Sequence, residues 1–267
     1  MSTIVESTLE DLRAEIQAAE QSGDQTQQAA SCIEAGRVLF SRNQYQDAAG
    51  YYQQASQLCI HQDQLKLKVK ALNHLGVCWI MTGEPDKALN SLTCALESLG
   101  PDPEPGIQAA IQGNLGLTYS ALQDHKRAFQ AHKAVMETAE KLGDESLQVN
   151  ALINLADCSL QDKSYRPAQG FALVALDLAK KLKSSPAEMV IYDLLGMISS
   201  RLGDLRSALD YHQQAWQAAK EAGSLLKQGI ALANQGLALE GLTDLDQAAS
   251  KLEEATEIFS RVSPEYL

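Results

Sequence analysis

Six small residues recur in this chain at a constant interval of 40 positions, and this interval is the feature that most constrains its fold. Each is followed after 12 and again after 19 positions by another small residue, which is alanine everywhere except at Val135. A period of roughly 20–50 residues is typical of solenoids, in which one supersecondary unit is stacked many times. The first set of small residues is Gly36, Gly76, Gly116, Ala156, Gly196 and Gly236.

Each period contains the pattern of two helices. In the third period, apolar residues at 111, 115, 119 and 122 follow helical spacing, and a second helical pattern begins at His125. Leu142, Gly143 and Asp144 then supply a helix end and the cap of the next helix. Small residues at the recurrent positions allow the two helices of a pair to approach closely. We therefore predict an all-α fold of about six antiparallel helix pairs in a solenoid.

The same spacing predicts the domain organisation. Residues 1–28 form an N-terminal segment with a capping helix, which the stripe of Leu9, Leu12, Ile16 and Ala19 indicates. A C-terminal tail of residues 262–267 follows the last helix. The proline-rich join at 99–106 predicts a stiff surface loop that shortens the start of the next helix, with recognition of this segment by a partner as the alternative. The six repeats are expected at about 29–62, 69–99, 106–143, 146–183, 186–223 and 226–261.

Composition excludes several classes of function. The net charge of −12 opposes nucleic acid or anionic lipid as the main partner. The chain has no apolar run long enough for a transmembrane helix and no secretory leader at its start, so we expect a cytoplasmic protein. Its 5 cysteines are odd in number and scattered, which favours buried thiols over disulfides or zinc.

The repeat resembles the tetratricopeptide repeat. The resemblance rests on a small residue preceded by Leu and followed three positions later by an aromatic residue, with small residues at +12 and +19. Leu75, Gly76 and Trp79 carry it in the second repeat, and Leu115, Gly116 and Tyr119 in the third. The 40-residue period is similar to that of Pins/LGN-type and rapsyn-type scaffolds. The resemblance implies a right-handed superhelix whose first helices line a concave, peptide-binding groove. The chain departs from the motif at Ser159, Ser199 and Gln235.

The resemblance further implies that the residue two before each small position points into the groove. Three of these are asparagines, and their carboxamides can donate to and accept from a bound peptide backbone. The alternative is that each carboxamide bonds locally or to water. The six positions are Glu34, His74, Asn114, Asn154, Leu194 and Asn234.

Neighbouring groove positions predict the chemistry of the partner. Arg37, Lys70 and Asn73 give a polar, partly basic beginning, and Met197 belongs to an apolar middle. Acidic groups follow at Asp157, Asp193 and Glu240. A protein or peptide ligand with an apolar centre and a basic end is complementary to this order. The alternative is that these charges are simply solvated.

We predict no enzyme activity, no cofactor and no metal site. The sequence lacks a P-loop, a dinucleotide fingerprint and an HExxH motif, and His132 and His212 share one repeat position that is most simply structural. Co-chaperones of the family that this chain resembles bind the C-terminal tails of chaperones through lysine, asparagine and arginine residues of three consecutive repeats. No three consecutive repeats of this chain carry that set, so such binding is disfavoured. The predicted function is a protein–protein interaction adaptor. The alternative is a self-assembling structural protein, a possible homo-oligomer that associates through its uncapped last helix.

Overall fold

The computed structural model describes residues 2–262, and side chains from residue 9 onward. The predicted tail at 262–267 lies outside the described residues except for Val262. Within the described part the chain is all-α, as predicted, with thirteen α-helices and one short 3-10 turn. The chain divides into two compact units, residues 1–134 and 135–267, and each is described by itself.

The first unit begins with helix α1 (Ser2–Ser22), which packs on α2. Antiparallel helix pairs follow, and we call the first helix of each pair the A helix and the second the B helix. Leu9, Ile16 and Ala19 of α1 are buried, so α1 covers the first pair as the sequence predicts. The A and B helices are α2 (Gln25–Ser41) and α3 (Tyr45–Leu58), α4 (Leu65–Met81) and α5 (Pro85–Glu97), and α6 (Pro105–Ala121) with α7 (His125–Leu142), whose last eight residues belong to the second unit.

The second unit contains three further pairs that repeat this arrangement. Its core is built from small and aliphatic side chains, among them Ala156, Ala172 and Leu195, which are completely buried. The A and B helices are α8 (Glu145–Gln161) and α9 (Tyr165–Lys181), α10 (Ser185–Leu202) and α11 (Leu205–Glu221), and α12 (Leu225–Gly241) and α13 (Leu245–Val262).

The glycines of the 40-residue series are required by the contact within each helix pair. A Cβ added at Gly76 would lie 2.5 Å from Leu92, and one added at Gly116 would lie 2.3 Å from the ring of His132. The residue of the B helix that meets the glycine is always 16 positions later. In the fourth repeat, where Ala156 replaces glycine, that residue is Ala172, and both are completely buried. The sizes of the two residues are therefore complementary.

The helix ends follow the predicted capping pattern at several turns. Gly23, Gly143 and Gly203 adopt left-handed backbone, and the following aspartates cap the next helix with their side chains. At Gly223 the backbone is also left-handed, but Ser224 makes no side-chain cap. Five other turns place a residue with a side chain in the left-handed region, and among them only Asn43 is of a type that commonly adopts it. They are Asn43, Gln123, Lys163, Lys183 and Thr243.

The prediction that the proline-rich join shortens the following helix is wrong. Helix α6 begins at Pro105 and has the usual 17 residues, whereas α5 ends at Glu97 and has 13. Proline is tolerated at the first helical position because its missing N–H would be unpaired there anyway. The join therefore shortens the helix before it.

Candidate peptide-binding face of the A helices

The basic beginning of the predicted groove is held together by one carboxylate. Arg37 Nε donates to Glu34 Oε2 at 2.7 Å, and Lys70 Nζ lies 3.7 Å from Glu34 Oε1. The hydrogen bond from Arg37, helped by the charge of Lys70, holds the pKa of Glu34 below its ordinary value despite partial burial. These three residues join the A helices α2 and α4 on an exposed face. They present two cations and one compensating anion.

His74 is part of the same face and also packs on a B helix. Its ring stacks on Tyr52 with centroids 5.1 Å apart, and Tyr52 is the B-helix residue that packs on Gly36. Burial, and secondarily the charge of Lys70, lowers the pKa of His74. The histidine is therefore neutral near neutral pH and serves mainly as packing for the helix pair below it.

Two of the three predicted ladder asparagines bridge consecutive A helices. In the first unit, Asn114 Nδ2 donates to Asn73 Oδ1 at 2.9 Å. In the second unit, Asn234 Nδ2 donates to Asp193 Oδ1 at 3.0 Å. Both bonds join residues 41 positions apart, so the repeat places them equivalently. Each carboxamide is left with one N–H and its oxygen for other partners.

The remaining predicted residues are less strongly organised. Asn154 is half-buried on α8, and its side chain makes no hydrogen bond to the described residues. Asp157 accepts a hydrogen bond from Gln161 Nε2 at 3.3 Å, and Glu240 is exposed on α12. Leu194, which the repeat register placed in the groove, is 4% exposed and belongs to the core. That expectation is wrong because this side chain packs in the apolar cluster of the second unit.

A cavity of about 540 Å³ adjoins the Asn234 position in the second unit. Met197 and Leu237 line it and are 38% and 58% exposed. Leu160, Leu205 and Ala238 supply further apolar wall. The remaining lining residues are polar or basic: Gln161, Lys163, Tyr165, Ser200, Arg201, His212 and Asn234. We call this space the second-unit cavity.

His212 closes the inner side of this cavity. Its imidazole packs on Gly196, where an added Cβ would lie 2.4 Å from the ring. Its Nδ1 lies 3.4 Å from Asp193 Oδ1, at an angle that makes no hydrogen bond. Gln235 Nε2 donates to the backbone oxygen of His212 at 3.2 Å. Gln235 is a departure from the motif, and this buried hydrogen bond explains why a polar residue is stable there.

The repeat register predicts Met197 but not the basic residues of this cavity. Lys163 lies in the turn after α8 with φ 61°, and Arg201 lies near the end of α10. Neither occupies a position that the motif associates with the groove. What they share is that both line this cavity, and only the packing of consecutive repeats brings them together.

The first unit has a larger cavity that holds none of the predicted residues. It has about 620 Å³ and lies among α1, α2 and α3. Glu10, Arg13 and Asp47 make its wall strongly polar, and Arg13 Nε donates to the hydroxyl of Tyr51 at 3.2 Å. In the described residues no cluster of three or more His, Cys, Asp or Glu is placed to hold a metal. None of the described helices has the length and apolar character needed to cross a membrane.

Comparison with known proteins identifies the repeat. Residues 107–181 match the family model described as tetratricopeptide repeat. Tetratricopeptide repeat protein 29 of Trypanosoma brucei brucei is 24% identical over 179 residues, covering 65% of this chain and 36% of that protein. Human SH3 domain and tetratricopeptide repeat-containing protein 2 is 26% identical over 177 residues, covering 65% and 13%. The chain thus spans about a third and about an eighth of these two relatives.

Solved structures share the fold at low sequence identity. The apo form of the quorum sensor NprR from B. thuringiensis matches with a TM-score of 0.72 and 13% identity, covering 99% of this chain and 78% of that one. BtubC from P. vanneervenii matches with a TM-score of 0.67 and 16% identity, covering 94% and 91%. At such identity the likeness concerns the fold alone, and it does not single out the Pins/LGN or rapsyn subgroup. Residues 107–181 therefore match the tetratricopeptide repeat, and the helix pairs described above share the fold of these structures.

Proposed function

We propose that this protein is an interaction adaptor whose A-helix face binds a peptide segment of a partner protein. Repeats of this family support a protein-interaction role in general, and the finer assignment rests on one observation. Met197 and Leu237 remain exposed on consecutive A helices, each about one turn after the residues of the Asn234–Asp193 hydrogen bond. An apolar surface next to a fixed polar group is the usual composition of a ligand site.

The two kinds of group have separate tasks in this proposal. The free N–H and oxygen of Asn234 pair with one peptide unit of the ligand. This contact is made to the backbone, so it does not depend on the ligand's side chains. Met197 and Leu237 cover an apolar side chain of the ligand, and burying one such side chain contributes about 2 kcal/mol. Asp193 fixes the orientation of the Asn234 carboxamide before the ligand arrives, so less side-chain entropy is lost on binding.

The same proposal assigns the other asparagines and charges. Asn114, held by Asn73, and Asn154 offer equivalent carboxamides in their own repeats. The apolar centre of the ligand faces Met197. The basic end of the ligand pairs with carboxylates of this face. Asp157 and Asp193 each accept a hydrogen bond from a neutral amide and keep their charge, and Glu240 is exposed on α12.

The test compares partner capture by matched variants. Wild type and the Met197→Ser/Leu237→Ser variant are immobilised side by side and exposed to the same cell lysate. Val174→Ser is the control, because Val174 is 55% exposed on the B helix α9 and lies outside the cavity. Circular dichroism verifies that all three remain folded. Proteins retained by wild type and the control but lost by the double variant support the proposal, and identical sets from all three contradict it.

The alternative of self-assembly through the last helix makes a different prediction. Leu245 of α13 is 65% exposed, but the following turns carry the ion pairs Lys251–Glu254 and Arg261–Glu257 on their surface. Such a polar face is stable in water without a partner. Self-assembly through α13 requires a molar mass that rises with concentration and falls back in Leu245→Ser. A constant monomer mass in sedimentation experiments excludes it.

A further inference from the structure

The second-unit cavity has a local charge opposite to that of the whole chain. The protein carries a net charge of −12, yet the charged residues that line this cavity are Lys163 and Arg201, with no carboxylate among the lining residues. Both cations are exposed, and neither forms an ion pair with a described residue. Their charges are therefore available to a ligand.

One carboxylate next to the cavity wall, that of Asp193, is hydrogen-bonded within the protein. Asp193 Oδ1 accepts from Asn234 at 3.0 Å and faces His212 Nδ1 at 3.4 Å. It makes no ion pair with Lys163 or Arg201. Neither cation is therefore neutralised by direct pairing with a carboxylate of the described residues.

Apolar surface adjoins these cations on the same wall. Met197 lies one helical turn before Arg201 on α10, and Leu237 lies on the neighbouring A helix. Residues four apart on a helix occupy the same face. A ligand that places a large aliphatic side chain on Met197 and Leu237 therefore brings its adjacent residue toward Arg201 and Lys163.

We propose that the second-unit cavity selects a partner segment in which an Asp or Glu side chain stands next to a large aliphatic residue. The aliphatic side chain occupies the space between Met197 and Leu237, and the carboxylate pairs with Lys163 and Arg201. This deepens the proposed function and rests on it. The motif positions alone predict a ligand with an apolar centre and a basic end. The cavity adds an acidic residue next to the apolar centre.

The chain offers a closely matched control for the two cations. Lys183, like Lys163, lies in a turn with left-handed backbone, and Arg206 is an exposed arginine on α11. Neither lines the cavity. Glutamine is compatible with this turn conformation, because Gln123 adopts it with φ 60°. Lys163→Gln/Arg201→Gln and Lys183→Gln/Arg206→Gln therefore remove the same charge from the same unit.

The experiment uses blocked peptides with glycine and serine flanks. Their central triplets are Leu-Glu-Leu, Leu-Gln-Leu, Leu-Lys-Leu and Ser-Glu-Ser. Binding is followed by NMR through the Met197 and Leu237 methyl signals, at low salt and again at about 500 mM salt, where the Debye length is only several ångströms. Two exposed charge pairs together contribute up to about tenfold in affinity. We expect wild type and the control double variant Lys183→Gln/Arg206→Gln to bind Leu-Glu-Leu about tenfold more tightly than Leu-Gln-Leu.

The two levels of the proposal fail differently. If Leu-Gln-Leu or Leu-Lys-Leu binds wild type as tightly as Leu-Glu-Leu, or if Lys163→Gln/Arg201→Gln keeps the preference for glutamate, the acidic determinant is wrong while peptide binding stands. If Ser-Glu-Ser matches Leu-Glu-Leu, the aliphatic contact is wrong. If none of the four peptides shifts the Met197 and Leu237 signals, this inference is overturned at its foundation, and the cavity is not a peptide site.

Discussion

Repeats three and five place a histidine in the same position but give it different surroundings. His132 packs on Gly116 and His212 packs on Gly196, with nearly identical close contacts. Asp193 stands 3.4 Å from His212, whereas the third repeat has Gly113 at the register position of Asp193. Burial lowers the pKa of His132 to about 4. The repeat fixes where the ring lies, and one residue of the A helix decides whether it has a charged neighbour.

A second difference separates repeats two and three from repeats four and five. Lys87 lies over the ring of Trp79 and pairs with Glu84, and Arg127 lies over Tyr119 and pairs with Asp124. In repeats four and five, neither the aromatic residue nor the cation is present at the equivalent positions. Ser159 and Ser199 replace the ring, while Pro167 and Ser207 replace the cation. Departures from the motif are therefore correlated within a repeat.

The largest expected effect comes from filling the glycine contact. Gly116→Ala and Gly196→Ala each place a Cβ about 2.3–2.4 Å from a buried ring, and such overpacking costs about 3 kcal/mol of unfolding free energy. Urea unfolding measures the loss. Gly170→Ala is the control, since its Cβ meets nothing within 4 Å, and a helix interior gains about 1 kcal/mol from this change. Equal effects at the two kinds of site would contradict the packing argument.

The fourth repeat suggests a rescue of this loss. Gly196→Ala combined with His212→Ala recreates the Ala156 and Ala172 pair. We expect the double variant to be at least about 1 kcal/mol more stable than the sum of the single effects, because the clash disappears. Additive effects would show that the size of residue 212 does not limit residue 196.

The second effect is a pH dependence specific to His132. A pKa depressed to about 4 in the folded protein means that stability from the neutral ring is complete above the unfolded pKa near 6.5. It falls as the pH drops from there toward 4, by about 2 kcal/mol at pH 5. His132→Leu removes this contribution, so its stability falls less between pH 7.5 and pH 5 than that of wild type. Parallel curves for the two proteins would refute the assignment.

A third, smaller effect distinguishes the two histidines at neutral pH. His132 Nδ1 is buried without a hydrogen bond, and leucine is the natural residue at this position in repeats two and six. His132→Leu should gain about 1 kcal/mol by removing that unsatisfied group. His212→Leu should gain less, because it also removes the contact with Asp193. Repeating both in an Asp193→Asn background should bring the two values together, and a persistent gap points to another cause.

The smallest effect concerns the turn clusters. Lys87 Nζ lies 4.5 Å from the ring centre of Trp79, and an exposed contact of this kind contributes about 0.5 kcal/mol. Lys87→Gln removes this contact together with the exposed Glu84 ion pair and should lower the unfolding free energy by about 0.5–1 kcal/mol, whereas Lys126→Gln on the exposed face of α7 should leave it unchanged. Thermal unfolding of both variants measures the difference. Equal losses would mean that net charge, and not the ring contact, is responsible.

The sequence alone determined the fold and the positions of the helix contacts. The 40-residue spacing predicted the helix pairs, and the small residues predicted their close approach, because a missing side chain is visible in the sequence itself. The asparagine register also brought Asn114 and Asn234 to equivalent positions on their A helices. These features are local or strictly periodic, so no distant contact is needed to infer them.

Only the tertiary structure decided which of those residues are free to bind. The hydrogen bonds of Asn114 to Asn73 and of Asn234 to Asp193 join positions 41 apart, and the burial of Leu194 depends on neighbouring repeats. Lys163 and Arg201 meet at one cavity although their repeat positions differ. Side-chain partnership and exposure arise from surfaces that different repeats bring together, and a periodic pattern describes each repeat separately.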